Sequence, residues 1–210
     1  MRVKICGVRD AGAIDAAHAA GAAYVGFVFF PKSPRHLGWD AAAALAAGAP
    51  PGLCKVALTV DPDDATLDRL AALPVDMIQL HGAESPARVA QVRDRLGLPV
   101  MKAVGVAGAE DLARIADFEA VADQILCDAK APAGADLPGG RGESFDWALL
   151  KGRRWTRPWM LAGGLTAGNV AQAAAASGAR QIDVSSGVES APGVKDAAMI
   201  GAFVAAANRG

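Results

Sequence analysis

The first 29 residues of the chain, MRVKICGVRDAGAIDAAHAAGAAYVGFVF, contain two short apolar runs separated by an alanine-rich segment. The runs cover residues 2–6 and 24–29, and both have the length and aliphatic composition of buried strands. Between them, Asp10 can cap a helix that ends at Gly21. A strand, a helix and a second strand in this order predict two parallel strands joined by a crossover helix.

The same alternation continues to the end of the chain and predicts eight strands. They are Arg2–Cys6, Tyr24–Phe29, Leu53–Leu58, Met77–Leu80, Val100–Val104, Gln124–Asp128, Trp159–Leu161 and Gln181–Val184. Helix signals lie between them, including the starts Asp61-Pro62, Ser85-Pro86 and Thr166, the ends Gly97 and Gly178, and a final run from about Lys195 to Asn208. A helix is expected after every strand. Eight such units predict an α/β fold, a closed (β/α)8 TIM barrel, rather than an open doubly wound sheet.

Length and charge limit the classes of protein that this chain can represent. Parallel barrels of about 200–250 residues commonly form one domain, so residues 1–210 are predicted to be a single barrel domain. The 21 basic and 22 acidic side chains give a net charge of -1. This balance argues against a nucleic-acid partner and against a basic membrane surface. The expected partner is therefore a small molecule.

Cysteine usage and hydropathy predict a reduced protein without a membrane segment. Cys6, Cys54 and Cys127 form no CxxC pair, so neither a disulfide framework nor a zinc or other metal site is expected. The most apolar windows, residues 22–30 and 197–207, are shorter than the roughly 20 residues that cross a bilayer. The start of the chain lacks the pattern of a signal peptide. These features predict a cytoplasmic location.

Catalytic groups of a parallel barrel come from the carboxyl ends of its strands. Polar residues at these ends are therefore the best candidates for site residues. Alternation along strand one places Cys6 inside the mouth of the barrel. Its thiol is either a small buried hydrophobic group, or a nucleophile or base whose pKa is lowered by its neighbours. Asp128 ends strand six on the inner face, where a carboxyl group is a candidate general acid or base. Cys54 and Cys127 are expected to pack in the core.

Two turns predict a phosphate site. Gly163-Gly164 follows strand seven and Ser185-Ser186 follows strand eight. The loops after the last two strands of such barrels commonly bind phosphate, because glycines let backbone N–H groups converge on its oxygens and serine hydroxyls add donors. Ordinary tight turns are the alternative interpretation.

Three further polar residues lie near the predicted mouth. Asp183, at the end of strand eight, either orients a substrate hydroxyl or neutralises an inward Lys4 or Lys102. Arg35, in a proline-stiffened loop after strand two, is a candidate for bidentate binding of a carboxylate, unless it is simply solvated. His81, after strand four, is a candidate hydrogen-bonding group, and the absence of a second ligand at suitable spacing argues against metal binding.

The longest irregular stretch, residues 131–144, follows strand six and predicts a mobile active-site loop, with a surface insertion as the alternative. Its glycines and prolines near the middle are Gly134, Pro138, Gly139, Gly140 and Gly142.

Several ordered blocks together resemble a known family. They are residues 4–7 (KICG), 26–35 (GFVFFPKSPR), 79–82 (QLHG), Asp128, 139–142, 145–147 (FDW), 162–165 (AGGL) and 183–189 (DVSSGVE). Over essentially its whole length the chain resembles the phosphoribosylanthranilate isomerases of tryptophan biosynthesis. It departs from the family pattern at Arg141, where a small or hydroxyl residue is expected, and at Ala23, where the family often has an acid.

The resemblance implies an Amadori rearrangement of N-(5-phosphoribosyl)anthranilate to 1-(2-carboxyphenylamino)-1-deoxyribulose 5-phosphate, with no cofactor. It implies that Asp128 is the general acid that protonates the furanose oxygen and that Cys6, as thiolate, is the base that removes the C2′ proton. Arg35 would hold the anthranilate carboxylate, Asp183 would assist near the sugar hydroxyls, and His81 would make a supporting contact.

The same resemblance assigns the phosphate to Gly163, Gly164, Ser185 and Ser186. It leaves the oligomeric state open between a monomer and a homodimer.

Two other functions are compatible with parts of the pattern. The related isomerase of histidine biosynthesis uses a pair of aspartates, and Cys6 argues against it. A non-catalytic protein that binds a phosphate ligand through the predicted cup, with Cys6 as a redox-sensitive thiol, would show affinity without turnover. The fold alone does not separate these functions, since barrels carry many chemistries.

Overall fold

The computed structural model of the chain describes residues 1–132, 134, 139–140 and 142–209. Eight parallel strands close into a barrel in sequence order, which confirms the predicted fold. They are β1 (Arg2–Cys6), β2 (Tyr24–Phe29), β3 (Cys54–Thr59), β4 (Met77–Leu80), β5 (Val100–Val106), β6 (Gln124–Ala129), β7 (Trp159–Leu161) and β8 (Gln181–Val184). Five strands match the predicted limits, β3 lies one residue later, and β5 and β6 are slightly longer.

Seven α-helices surround the barrel in the described part of the chain. They are α1 (Ala11–Ala19), α2 (Trp39–Gly48), α3 (Asp64–Ala71), α4 (Pro86–Leu96), α5 (Leu112–Glu119), α6 (Val170–Ser177) and α7 (Ala197–Ala207). The predicted caps at Asp10 and Ser85 are confirmed, since each side chain accepts a hydrogen bond from the backbone N–H three residues later. Gly97 and Gly178 end α4 and α6 in the left-handed conformation that favours glycine.

Two predicted helix starts were wrong by a few residues. Asp63, not Asp61, caps α3 and accepts a hydrogen bond from the N–H of Thr66 at 2.8 Å. The Asp61 carboxylate instead accepts from the N–H of Ala83, on the next βα loop, at 2.7 Å. α6 begins after Asn169 rather than at Thr166. At α3 the Asp63 side chain takes the capping role expected of Asp61, whereas among the described residues no side chain caps α6.

The expectation of a helix after every strand was wrong at β6. Among the described residues between β6 and β7, only a short 3₁₀ turn, Trp147–Leu150, has helical structure. The segment is rich in glycine and proline, which are the poorest helix formers. Its described part therefore approaches the mouth of the barrel as a loop.

A small hairpin follows β8. It consists of β9 (Glu189–Ala191) and β10 (Val194–Lys195), which pair antiparallel. The sequence analysis placed Lys195 at the start of the last helix, but it lies in β10, and Asp196 caps α7. The hairpin carries the side chains of Glu189 and Lys195 toward the mouth.

The strand faces divide the core as the alternation predicts. Val3 and Ile5 point outward and pack under the helices, while Lys4 and Cys6 point into the barrel. Cys6 packs with Val28 and Leu58 near the mouth. In the part of the chain that the structure describes, no helix is both long enough and apolar enough to traverse a bilayer.

Candidate active site

A cavity of about 80 Å³ lies at the carboxyl ends of the strands. All nine residues that the sequence analysis selected line it, and they are Cys6, Arg35, His81, Asp128, Gly163, Gly164, Asp183, Ser185 and Ser186. They come from six separate βα units, so the closed barrel brings them together. Over the described residues, no group of three His, Cys, Asp or Glu side chains is arranged to hold a metal ion.

The Cys6 thiol is buried, with only 5 % of the residue exposed. Burial raises the pKa of this thiol, while the Lys4 and Lys195 ammonium groups oppose that effect and Asp183 adds to it. Of the two alternatives left open for this thiol, the direction of the shift agrees with a buried group rather than with a lowered pKa, because removal from water outweighs the neighbouring cations. Gly26 makes room here, since a Cβ atom on it would lie 3.1 Å from the Cys6 sulfur.

Asp183 forms a buried ion pair with Lys4. Their Oδ1 and Nζ atoms are 2.9 Å apart, and Lys4 is fully buried. Burial by itself lowers the pKa of Lys4, but the Asp183 carboxylate and Cys6 outweigh it and the pKa is raised. Of the two cations considered for Asp183, Lys4 is the partner. Lys102 points to the outside of the sheet, where Glu84 holds it at 2.9 Å.

Asp128 is held by two donors. Its Oδ1 accepts a hydrogen bond from the N–H of Ala129 at 2.8 Å, and its Oδ2 lies 3.3 Å from Nε2 of His81. The other ring nitrogen of His81 lies 3.0 Å from the side-chain nitrogen of Gln79. Gln79, His81 and Asp128 thus form a connected row at the rim.

Arg35 is neither solvated nor unpaired. Its Nε and Nη2 atoms donate to the two carboxylate oxygens of Glu189 at 2.7 and 2.9 Å, which is a bidentate ion pair. The residue is 7 % exposed, and its Nη2 also donates to the carbonyl of Gly140 at 3.3 Å. The guanidinium therefore faces the cavity from a fixed position.

The two predicted phosphate turns border the same cavity. Gly163 and Gly164 have φ values of +90° and +61°, which favour glycine. A Cβ atom on Gly164 would lie 2.9 Å from the backbone of Glu143, so a side chain there would collide with the loop. Ser185 donates its hydroxyl proton to the carbonyl of Cys6 at 3.1 Å, whereas Ser186 begins a 3₁₀ turn beside it.

The long loop reaches this cavity through its described residues Gly139, Gly140, Gly142 and Glu143. A Cβ atom on Gly139 would lie 2.5 Å from Oδ2 of Asp128. Pro138 and Arg141, which the sequence analysis singled out, lie outside the described residues.

Residues 3–206 match the sequence model of the family described as N-(5'phosphoribosyl)anthranilate (PRA) isomerase. The chain belongs to this family. The isomerase of Cereibacter sphaeroides (strain ATCC 17029 / ATH 2.4.9) is 65 % identical over 205 residues, which cover 97 % of each chain. The protein is thus an isomerase of tryptophan biosynthesis.

Solved structures of isomerases in this family share the whole fold. Phosphoribosyl anthranilate isomerase from Thermotoga maritima is 35 % identical, with a TM-score of 0.89 over 100 % of this chain and 99 % of that one. A second isomerase structure, 32 % identical with a TM-score of 0.86 and coverage of 100 % and 99 %, holds reduced 1-(o-carboxyphenylamino)-1-deoxyribulose 5-phosphate.

Sequence reasoning missed two charged residues at the mouth of this isomerase. Lys195 donates to Glu189 at 2.7 Å and to the carbonyl of Ser185 at 2.9 Å. The Glu189 side chain is 4 % exposed, and although this desolvation raises its pKa, Arg35 and Lys195 outweigh it and hold the pKa below the usual range. Glu189 belonged to a recognised block but was given no role, and nothing in the local pattern around Lys195 predicts the hairpin that positions it.

Proposed function

We propose that the chain converts N-(5-phosphoribosyl)anthranilate to 1-(2-carboxyphenylamino)-1-deoxyribulose 5-phosphate, with Asp128 as general acid and Cys6 as general base. The observation that carries the proposal is the placement of both groups on one cavity, on strands β6 and β1. These strands lie three positions apart around the barrel. An acid and a base can therefore reach different atoms of one bound sugar.

The first step is opening of the furanose ring. A proton moves from Asp128 to the ring oxygen, and the bond between that oxygen and C1′ breaks with its electron pair going to oxygen. The lone pair of the anilino nitrogen forms the C=N bond of the Schiff base. Asp128 is suited to this step because its Oδ2 lies toward the cavity, next to His81.

The second step is proton removal from C2′ by the Cys6 thiolate, which gives the enolamine. Burial makes the thiolate costly, so its formation depends on nearby positive charge. Lys4 and Lys195 supply that charge from β1 and β10. When the enolamine becomes the ketone, C1′ gains the proton that Cys6 holds and O2′ loses one.

Binding groups flank the two reacting residues. Arg35 would take the anthranilate carboxylate, and this role is supported by the ion pair with Glu189, which fixes the guanidinium at the cavity wall. Gly163, Gly164, Ser185 and Ser186 would take the phosphate, with Asp183 near the sugar hydroxyls. A cavity of about 80 Å³ is much smaller than the roughly 300–1,000 Å³ of a typical ligand site. We therefore expect substrate entry to displace the described loop residues Gly139, Gly140, Gly142 and Glu143.

The test is to generate phosphoribosylanthranilate in situ and follow the loss of its anthranilate fluorescence. We expect loss that is proportional to enzyme concentration and absent with Asp128→Asn at equal concentration. Tight binding of the reduced product analogue without turnover would contradict the proposed catalysis and favour a ligand-binding protein.

A further inference from the structure

A second cavity lies behind the acid of the active site. Its volume is about 300 Å³, and it is lined by His81 and Asp128 together with Glu84, Lys102, Arg114 and Lys130. Arg114 and Lys130 are exposed, so this cavity reaches solvent. His81 and Asp128 also line the substrate cavity. The pair therefore separates the two cavities and contacts both.

The loop covers the same pair on the substrate side. A Cβ atom on Gly139 would lie 2.5 Å from Oδ2 of Asp128 and 2.7 Å from Nε2 of His81. Only glycine allows the loop backbone to approach this closely. Gly139 lines the substrate cavity but not the second cavity, so the second cavity leaves the pair open to solvent from its other side.

Gln79 can accompany a change in the charge of His81. Its side chain is fully buried, its nitrogen faces Nδ1 of His81 at 3.0 Å, and its oxygen has no hydrogen-bond partner. In this arrangement Nδ1 accepts, and the proton on Nε2 points to Asp128. If the amide rotates by half a turn, its oxygen accepts a hydrogen bond from the Nδ1–H group of a charged imidazolium. One side chain thus serves both protonation states.

The charges around His81 are largely compensated. Lys102, on β5, is 2.9 Å from Glu84, and Lys130, after β6, pairs with Asp111 at 2.6 Å. Arg114, on α5, lies at the exposed rim of the second cavity. Asp128 faces the ring of His81 directly. Most cations near His81 are therefore already paired, and a positive charge on its ring would meet little repulsion.

We propose that His81 carries the proton that Asp128 delivers, and exchanges it with water through the second cavity, on the side of the pair away from the substrate. The inference rests on the proposed function. Nε2 of the imidazolium gives its proton to Oδ2 of Asp128, and Asp128 gives it to the ring oxygen as the C1′–O bond breaks. Neutral His81 and the Asp128 carboxylate remain. The proton that O2′ releases when the ketone forms goes to water, and the pair takes one proton from water through the second cavity, so the proton count closes.

The variant His81→Gln tests whether His81 carries a proton or only holds Asp128 in position. Glutamine can still donate an amide hydrogen bond to Asp128, but it cannot carry a proton. We expect kcat to fall by about 10²-fold with KM nearly unchanged, which is the usual effect of losing an acid–base group. A kcat within about threefold of the wild-type value, in folded protein, would show that His81 only positions Asp128 and would overturn the inference.

Gln79→Glu supplies a second variant with a different readout. A carboxylate opposite Nδ1 holds the proton on His81, so the alkaline fall of kcat/KM should move to higher pH. An unchanged pH profile in folded Gln79→Glu would contradict proton carriage by His81.

The wild-type enzyme separates this inference from the proposed function. If wild-type protein does not consume phosphoribosylanthranilate, the proposed function fails. If wild-type and His81→Gln turn over equally, only the relay fails.

Discussion

The Lys4 ammonium lies 2.9 Å from the Asp183 carboxylate, across the seam where the first strand meets the last. The two residues are 179 positions apart, yet β1 and β8 pair them in direct register. The ion pair therefore exists only in the closed barrel. It also sets the charge beside Cys6.

Lys4→Met should destabilise the fold by about 3–5 kcal/mol, because it leaves the Asp183 carboxylate buried without its partner. Urea denaturation followed by circular dichroism measures this change. Arg95→Met is the matched control, since it breaks the exposed ion pair with Asp68 and should leave the midpoint nearly unchanged. Equal midpoints for the two variants would contradict a structural role for the Lys4–Asp183 pair.

Cys6→Ser should reduce kcat by about 10²–10⁴-fold while KM changes little, because a serine hydroxyl is too weak an acid to supply a base near neutral pH. The fluorescence assay measures both constants. Cys54→Ser, at the far end of β3, is the control and should keep normal kcat. Near-normal turnover of Cys6→Ser in an assay limited by chemistry would remove Cys6 from the mechanism.

Alkylation of Cys6 by iodoacetamide should be slow at neutral pH and should accelerate as pH rises. Burial raises the pKa of this thiol, so the reactive thiolate is the minor form at neutral pH and increases with pH. Lys195→Met removes a cation that lowers the pKa, so its rate profile should move to higher pH. Mass spectrometry of the labelled peptide measures the rate. If Lys195→Met leaves the pH dependence of the alkylation rate unchanged, the Lys195 ammonium does not act on the Cys6 thiolate.

Arg35→Met should raise KM by about 10- to 100-fold with kcat largely retained, if the guanidinium binds the anthranilate carboxylate equally in the ground and transition states. Glu189→Gln weakens the bidentate pair that fixes Arg35 and should raise KM by a smaller factor. Arg69→Met, which removes a stacking contact with Trp39, is the control. A fall in kcat alone for Arg35→Met would contradict its anchoring role.

Inorganic phosphate should be a weak competitive inhibitor, because backbone and hydroxyl donors at the cup bind a dianion in substrate and product alike. Ser186→Ala should raise the inhibition constant by about 10-fold through loss of one donor to a charged group. Ser190→Ala, an exposed serine on the hairpin, is the control. Gly164→Val is a poorer test, since its side chain would collide with Glu143. A crystal grown in sulfate with no anion between Gly164 and Ser186 would contradict the phosphate site.

Local sequence was sufficient to predict the barrel. Strand period, helix caps and chain order are determined by neighbouring residues, so Lys4 and Cys6 were placed on the inner face and Asp128 at a strand end before any contact was known. The predicted helix boundaries were wrong where other nearby residues set the local structure. Asp63, two residues after Asp61, caps α3. The glycine-rich segment after β6 does not form the expected helix in its described part.

Tertiary structure decided which charges meet and how far they are removed from water. Arg35 pairs with Glu189, which is 154 positions away, and Lys102 pairs on the outer face rather than with Asp183. Such pairings depend on the register of distant elements, and no local pattern encodes them. The sign of the Cys6 pKa shift has the same origin. The sequence by itself determined that a thiol faces the mouth of a closed barrel, but the depth of its burial, which only the folded chain sets, makes its proton harder to remove.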